Sequence, residues 1–286
     1  MDKKPPPSGP LSQITSGKRL TPIFGLIAGL PGVGKTTLAS KAPKPVFLGL
    51  EEGTNQIDTS RFPQAQSYQE FLDQIGIIAN ETHPYKTIVF DTVDRIEALI
   101  WEQVCRDDRV SSISEYGGGY GQGYIRAAEY FRQIMNEAAA LSRRFHVLLC
   151  SQVMVKTFND PKHSSGYDRY IMKIHDRSAG IVMESLDLCL FCTYKTELVK
   201  ERKGRSTRDV RAITDGTRVM YTETRPAWQP AKNRFGLPFE MPMEWNDLAQ
   251  AIKASYAAEP AEPPSEKPST KEEPPQPETP TNGETK

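Results

Sequence analysis

Hydrophobic positions in this chain follow two alternating rhythms. Short apolar runs, "IFGLIA", "PVFLGL", "TIVFD" and "HVLLCSQ", are each bounded by polar residues or by Pro and Gly, as buried strands are. The stretches that follow them, "KTTLASKA", "SYQEFLDQIGIIAN", "RIEALIWEQVC" and "IRAAEYFRQIMNEAAALSRR", instead space their apolar residues at helical intervals. Strand and helix in alternation predict βαβ units, hence an α/β fold with a mainly parallel sheet and helices on both faces. The later runs "LDLCLFCTY", "TELVKE" and "DGTRVMYTET" have no long helix between them, so antiparallel strands or hairpins at one sheet edge are expected there.

Both ends break this pattern. Residues 1–18 are rich in Pro, Lys and Ser and read as a flexible leader, and residues 258–286 as an acidic, Pro-rich tail too poor in apolar residues to order. Such a tail solubilises, or contacts a partner. One domain, residues 19–257, lies between them. With 37% hydrophobic residues in 286 the chain can bury a sizeable core. Basic and acidic residues balance at 36 each, so a nucleic-acid surface would have to be local. "MDKKPPPSGPLSQ" lacks the apolar run of a signal peptide and no window has the length of a membrane span, so a cytoplasmic protein with no membrane partner is expected. Cys105, Cys150, Cys189 and Cys192 read as core residues, because structural zinc takes four ligands and only Cys189 and Cys192 stand at suitable spacing.

Directly after the first strand-like run, Gly29-Leu30-Pro31-Gly32-Val33-Gly34-Lys35-Thr36 matches G-x-x-x-x-G-K-[ST]. Glycines let the main chain curl until its N–H groups surround a polyphosphate, and the helix that follows adds its positive end. Lys35 would neutralise the β and γ phosphates of ATP, Thr36 would ligate Mg²⁺, and Thr37 would touch the α phosphate. Asp91, closing "TIVFD", is a strand-end carboxylate suited to the same metal, and Asp94 suits the cap of the next helix. "PVFLGLEEGT" offers Glu51, with Glu52 beside it, as the carboxylate that orients an attacking water. "FHVLLCSQ" ends in Ser151 and Gln152, and the Gln152 amide suits a γ-phosphate sensor.

These pieces in this order resemble the RecA-type P-loop NTPase core. More narrowly, "LEEGT", "YGGGYGQGY", "YDRYIMKIH" and "AKNRFGLP" resemble the bacteriophage AAA-type nucleotide-binding proteins that include the Sak-group single-strand annealing ATPases, over roughly residues 20 to 245. The resemblance implies two DNA-contacting loops. The first is "SEYGGGYGQGY", with Tyr116, Tyr120 and Tyr124 to stack bases and Arg126 behind them. The second follows Gln152 and carries Lys156, Lys162, Arg169, Lys173 and Arg177 interleaved with Phe158, Tyr167 and Tyr170. It further implies that Lys232 and Arg234 act as a basic finger in the ATP site of a neighbouring copy, hence a ring or short filament in a bacterial host cell.

The leading expectation is therefore an ATP-binding and ATP-hydrolysing protein acting on single-stranded DNA in phage recombination or annealing, alongside single-strand-binding or recombination partners. A P-loop kinase of small molecules or nucleotides is the alternative; the Arg-rich "RKGRSTRDVR" would be its lid, although it falls among expected edge strands. A non-catalytic ATP-dependent switch protein is the third.

Overall fold

The computed structural model describes residues 13–15, 17–49, 56–162, 164–203 and 207–257. In chain order the strands and helices are β1 (Phe24–Gly29), α1 (Lys35–Ser40), β2 (Pro45–Gly49), β3 (Ser60–Arg61), α2 (Tyr68–Asn80), β4 (Thr87–Asp91), α3 (Val93–Asp108) and α4 (Gln122–Leu141). They continue with β5 (His146–Phe158), β6 (Tyr167–Met172), α5 (Asp176–Ser185), β7 (Leu188–Tyr194), β8 (Glu197–Lys203), β9 (Thr207–Ile213), β10 (Arg218–Tyr221), β11 (Lys232–Asn233), β12 (Glu240–Pro242) and α6 (Trp245–Ala257). No helix among the described residues is long and apolar enough to cross a membrane.

The main sheet runs β12-β10-β7-β1-β5-β4-β2-β3. Strands β7, β1, β5, β4, β2 and β3 are mutually parallel, while β10 and β12 add antiparallel pairings at one edge. This mixed α/β architecture follows from the burial of both sheet faces: every residue of β1 and of β4 is buried, so these strands read as continuous apolar runs. Neighbours in sequence supply opposite cores. Leu26, Leu48, Phe90 and Leu149 pack with Phe71, Ile100, Phe131 and Val182 of α2 to α5. Ile27, Phe47, Val89 and Leu148 pack with Leu38 of α1 and with Leu248 and Ile252 of α6. Local signals agree with these elements: Ser67 accepts from the Glu70 N–H to start α2, and the Glu70 carboxylate accepts from Gln66 N–H.

Three expectations are corrected. "LDLCLFCTY" is no antiparallel edge; it forms β7, parallel to β1 and interior to the sheet. Helix α5, built from "DRSAGIVMES", carries the chain back so that β7 starts beside Phe24, with Asp187 N–H donating to Phe24 C=O. Strands β8 and β9 pair with each other in a separate two-stranded sheet instead of extending the main one, whereas β10 does join the main sheet antiparallel, between β7 and the edge strand β12. Finally, the segment after Gln152 is no loop. Strand β5 continues to Phe158 and pairs antiparallel with β6, from Val153↔Met172 to Phe158↔Tyr167. Cross-strand contacts hold this ribbon: Thr157 donates to Asp168 at 2.6 Å, and the Arg169 guanidinium lies 3.5 Å over the Phe158 ring.

Candidate nucleotide site

At the C-terminal end of β1 the chain turns sharply. Gly29 packs so closely on β7 that a Cβ there would collide with the Cys192 carbonyl oxygen. Gly32 and Gly34 have φ of 78° and 104°, a region favouring glycine, and they curl the loop before α1. Val33, fully buried, anchors it from below. Above it Lys35, 7% exposed as a residue, donates through its ammonium to the Gly29 and Leu30 carbonyls, both at 3.0 Å. Thr37, next along α1, is exposed.

Strand order completes the site. β5 lies between β1 and β4, pairing Gly29 with Gln152 on one side and Asp91 with Cys150 on the other. Asp91 is thereby buried at the strand ends, and the Thr36 hydroxyl donates to its Oδ2 at 2.8 Å. A hydroxyl and a carboxylate in contact, with an ammonium close by, form a hard-oxygen set suited to Mg²⁺ and a polyphosphate, and the glycine loop is a cradle that side chains would fill. Burial, reinforced by the Asp91 charge and hydrogen bond, pushes the Cys150 thiol well above its usual range, and burial pushes Cys192 up to about 12. Both cysteines thus stay protonated and act as packing.

Strand β2 brings the chain to Gly49, in register with Asp91; Glu51 and Glu52, the expected water-orienting carboxylates, lie outside the described residues. Gln152 is half-buried beside Gly29. Its backbone N–H donates to Asp94 Oδ2 at 2.9 Å. Asp94 is therefore not the cap of α3: Thr92 occupies that position, and Asp94, inside the first turn, ties the helix to β5 instead. One turn further, the Glu97 carboxylate accepts from His175 N–H with both oxygens at 3.0 Å. Burial is the main cause that pushes the Glu97 carboxyl above its ordinary range. The helix that follows Asp91 thus holds both strands of the β5–β6 ribbon at its base.

The aromatic and basic residues of the two expected loops are partly committed within the fold. Tyr124 lies on α4, stacked on His175 with ring centroids 4.6 Å apart and edge-on to Trp101. Tyr116 is partly buried, whereas Tyr120 is fully exposed. Arg126 pairs with Glu129 at 2.6 Å. On the ribbon Lys156 pairs with Asp176 at 2.8 Å, and Tyr170 packs on Phe191. Lys162 and Lys173 are exposed.

Lys232 and Arg234 stand at the other end of the sheet. β11 pairs with the start of β7, and Arg234 bonds Asp187 through its N–H and, at 2.8 Å, through its side chain. Asp187 is level with Phe24, so Arg234 is the length of β1, roughly 17 Å, from Gly29. The Lys232 ammonium donates to the Met183 carbonyl at 2.6 Å and the Glu184 carbonyl at 3.3 Å, at the C-terminus of α5. Neither reaches the P-loop of its own chain.

Two residues at the site carry no sequence signal. Tyr194 Oη donates to the Gly32 carbonyl and Arg218 Nη1 to the Val33 carbonyl, each at 3.4 Å. They come together because β10 pairs with β7 so that Arg218 faces Tyr194. Only the strand character of "DGTRVMYTET" hinted at this, without a register.

A family model described as an AAA domain matches residues 21–235. No curated protein matches the chain. The matched segment spans the glycine loop, Asp91, Gln152 and the strands that set them side by side, and the chain belongs to the AAA domain family, a family of ATP-binding ATPases.

Proposed function

We propose that this protein is a RecA-like ATPase that binds and hydrolyses ATP with Mg²⁺ and couples it to holding single-stranded DNA. The observation that carries the nucleotide half is the Thr36–Asp91 contact at 2.8 Å beside the Lys35 ammonium. Thr36 and Asp91 would hold Mg²⁺, which when bound neutralises charge on the terminal phosphates. Lys35 holds the β and γ phosphates, backbone N–H groups of Gly32 to Thr37 surround them, and Glu51 orients the attacking water.

Support for coupling comes from continuity. Gln152, the γ-phosphate sensor, continues without interruption into the ribbon that bears Lys156, Lys162, Arg169 and Lys173. Asp94 and Glu97 fix that ribbon to the helix following Asp91, and His175 carries the contact to Tyr124. Exposed Lys162, Lys173 and Tyr120 offer phosphate contacts and a base-stacking ring. The distance of Lys232 and Arg234 from their own P-loop supports a role only in a neighbouring copy, hence a ring or short filament with head-to-tail contacts.

One observation favours the kinase reading as second choice. The β8–β9 arm, with Arg-rich residues 202–211, leaves the sheet after Tyr194 and returns before Arg218, at the P-loop end rather than along an edge. ATP turnover measured with and without single-stranded DNA separates the two. Stimulation that fades as salt rises supports the DNA-coupled ATPase, and a rate indifferent to DNA contradicts it. Mixing Arg234→Ala with Lys35→Ala subunits should restore some turnover if sites are shared; no rescue at any ratio contradicts sharing.

A further inference from the structure

Asp91 and Gln152 lie on β4 and β5, to one side of β1. A triphosphate whose terminal end meets Thr36 and Asp91 must therefore direct its nucleoside toward the other side, where β7 and β10 stand. Tyr194 and Arg218 are the side chains that rise there against the loop. They face each other across the β7–β10 pairing and touch successive loop residues, Gly32 and Val33, through their carbonyls. The Tyr194 residue remains 38% exposed although its hydroxyl is anchored. Arg218 is exposed too, and it lies so close to Gly34 that a Cβ on that residue would come 2.5 Å from Nη1. A guanidinium carries five N–H donors, and a single carbonyl at 3.4 Å uses little of that capacity.

We propose that Tyr194 and Arg218 form the nucleoside-binding wall of the site, the ring stacking on the base and the guanidinium meeting the base or ribose edge. This rests on the P-loop reading above and adds the determinant that separates a nucleoside triphosphate from a bare polyphosphate. A flat ring anchored at its polar tip is already ordered, so stacking on it costs little further entropy.

The test is calorimetric titration of the full chain with Mg-ATP and, separately, with magnesium tripolyphosphate, which has the phosphates without the nucleoside. Tyr194→Ala and Arg218→Ala should each weaken Mg-ATP by about tenfold while tripolyphosphate stays within about twofold, and Tyr194→Phe, which keeps the ring but loses its anchor, should weaken Mg-ATP less than Tyr194→Ala does. Retained tripolyphosphate binding also shows that the variants fold. Equal weakening of both ligands would overturn the proposal in favour of simple bracing of the loop, and unchanged binding of both would overturn it outright. Lys35→Ala should abolish binding of both ligands. If it retains both, the P-loop reading fails, and the wall, which depends on it, fails with it.

Discussion

The P-loop and the β5–β6 ribbon start from paired residues of adjacent strands, Gly29 and Gln152, yet differ in what fixes their side chains. At the P-loop, Thr36 and Asp91 are 55 residues apart in sequence and meet because buried strands pin their backbones in register. On the ribbon, side chains choose among partners within reach: Lys156 takes Asp176, and Arg169 takes the Phe158 ring. A buried constellation is set by topology, whereas an exposed one is set by local pairing, and exposed pairs hold each other with only ~0–1 kcal/mol. The ribbon can therefore release its cations to a stronger anion, while the P-loop groups have no such freedom.

Removing the buried carboxylate should cost the most. Asp91→Asn should lower ATP turnover by about a hundredfold or more, the scale of losing one preorganised charge contact, and Thr36→Ala combined with it should add little further. Additive losses in steady-state kinetics would mean that the two residues do not act on one ion. Gly29→Ala comes next, since its new Cβ meets a backbone carbonyl that cannot rotate away. It should destabilise by about 1–3 kcal/mol, read in thermal unfolding as a drop of roughly 2–4 °C per kcal/mol. An unchanged melting temperature would show that β1 and β7 separate freely.

Lys162→Ala and Lys173→Ala test the ribbon. Each should lower the slope of log K against log salt for single-stranded DNA by about one at most, with no effect on Mg-ATP binding. Variants that lose nucleotide binding instead would place the ribbon in the ATP site. The smallest effect is expected from Glu97. Its folded pKa lies above the unfolded value, so the stability it contributes is full below the unfolded pKa and is lost as pH rises through the folded one. Glu97→Gln should flatten that decline in chemical denaturation curves across the acidic range, and an identical slope in both proteins would show that Glu97 does not titrate there.

Legibility in the sequence follows the same division. "GLPGVGKT" and the apolar run ending at Asp91 could be read directly, because a tight glycine turn and a doubly buried strand each leave a local trace. Asp94 looks like a cap in sequence because capping and cross-strand bonding use the same short carboxylate, and only the position of β5 decides between them. "VMVKTF" and "YDRYIM" carry their strand character in sequence, but with Lys156, Asp168 and Arg169 among them they look like a loop until they pair. The approach of Tyr194 and Arg218 to the P-loop depends on a long-range register that no local pattern encodes.

Lys35, Thr36 and Asp91 are proposed to form one Mg-nucleotide site. Calorimetric titration of Mg-ATP into wild type, Lys35→Ala and Asp91→Asn is the decisive measurement. The prediction is saturable heat in wild type, none in Lys35→Ala, and in Asp91→Asn an affinity that no longer responds to magnesium. Equal affinity in all three proteins would contradict it.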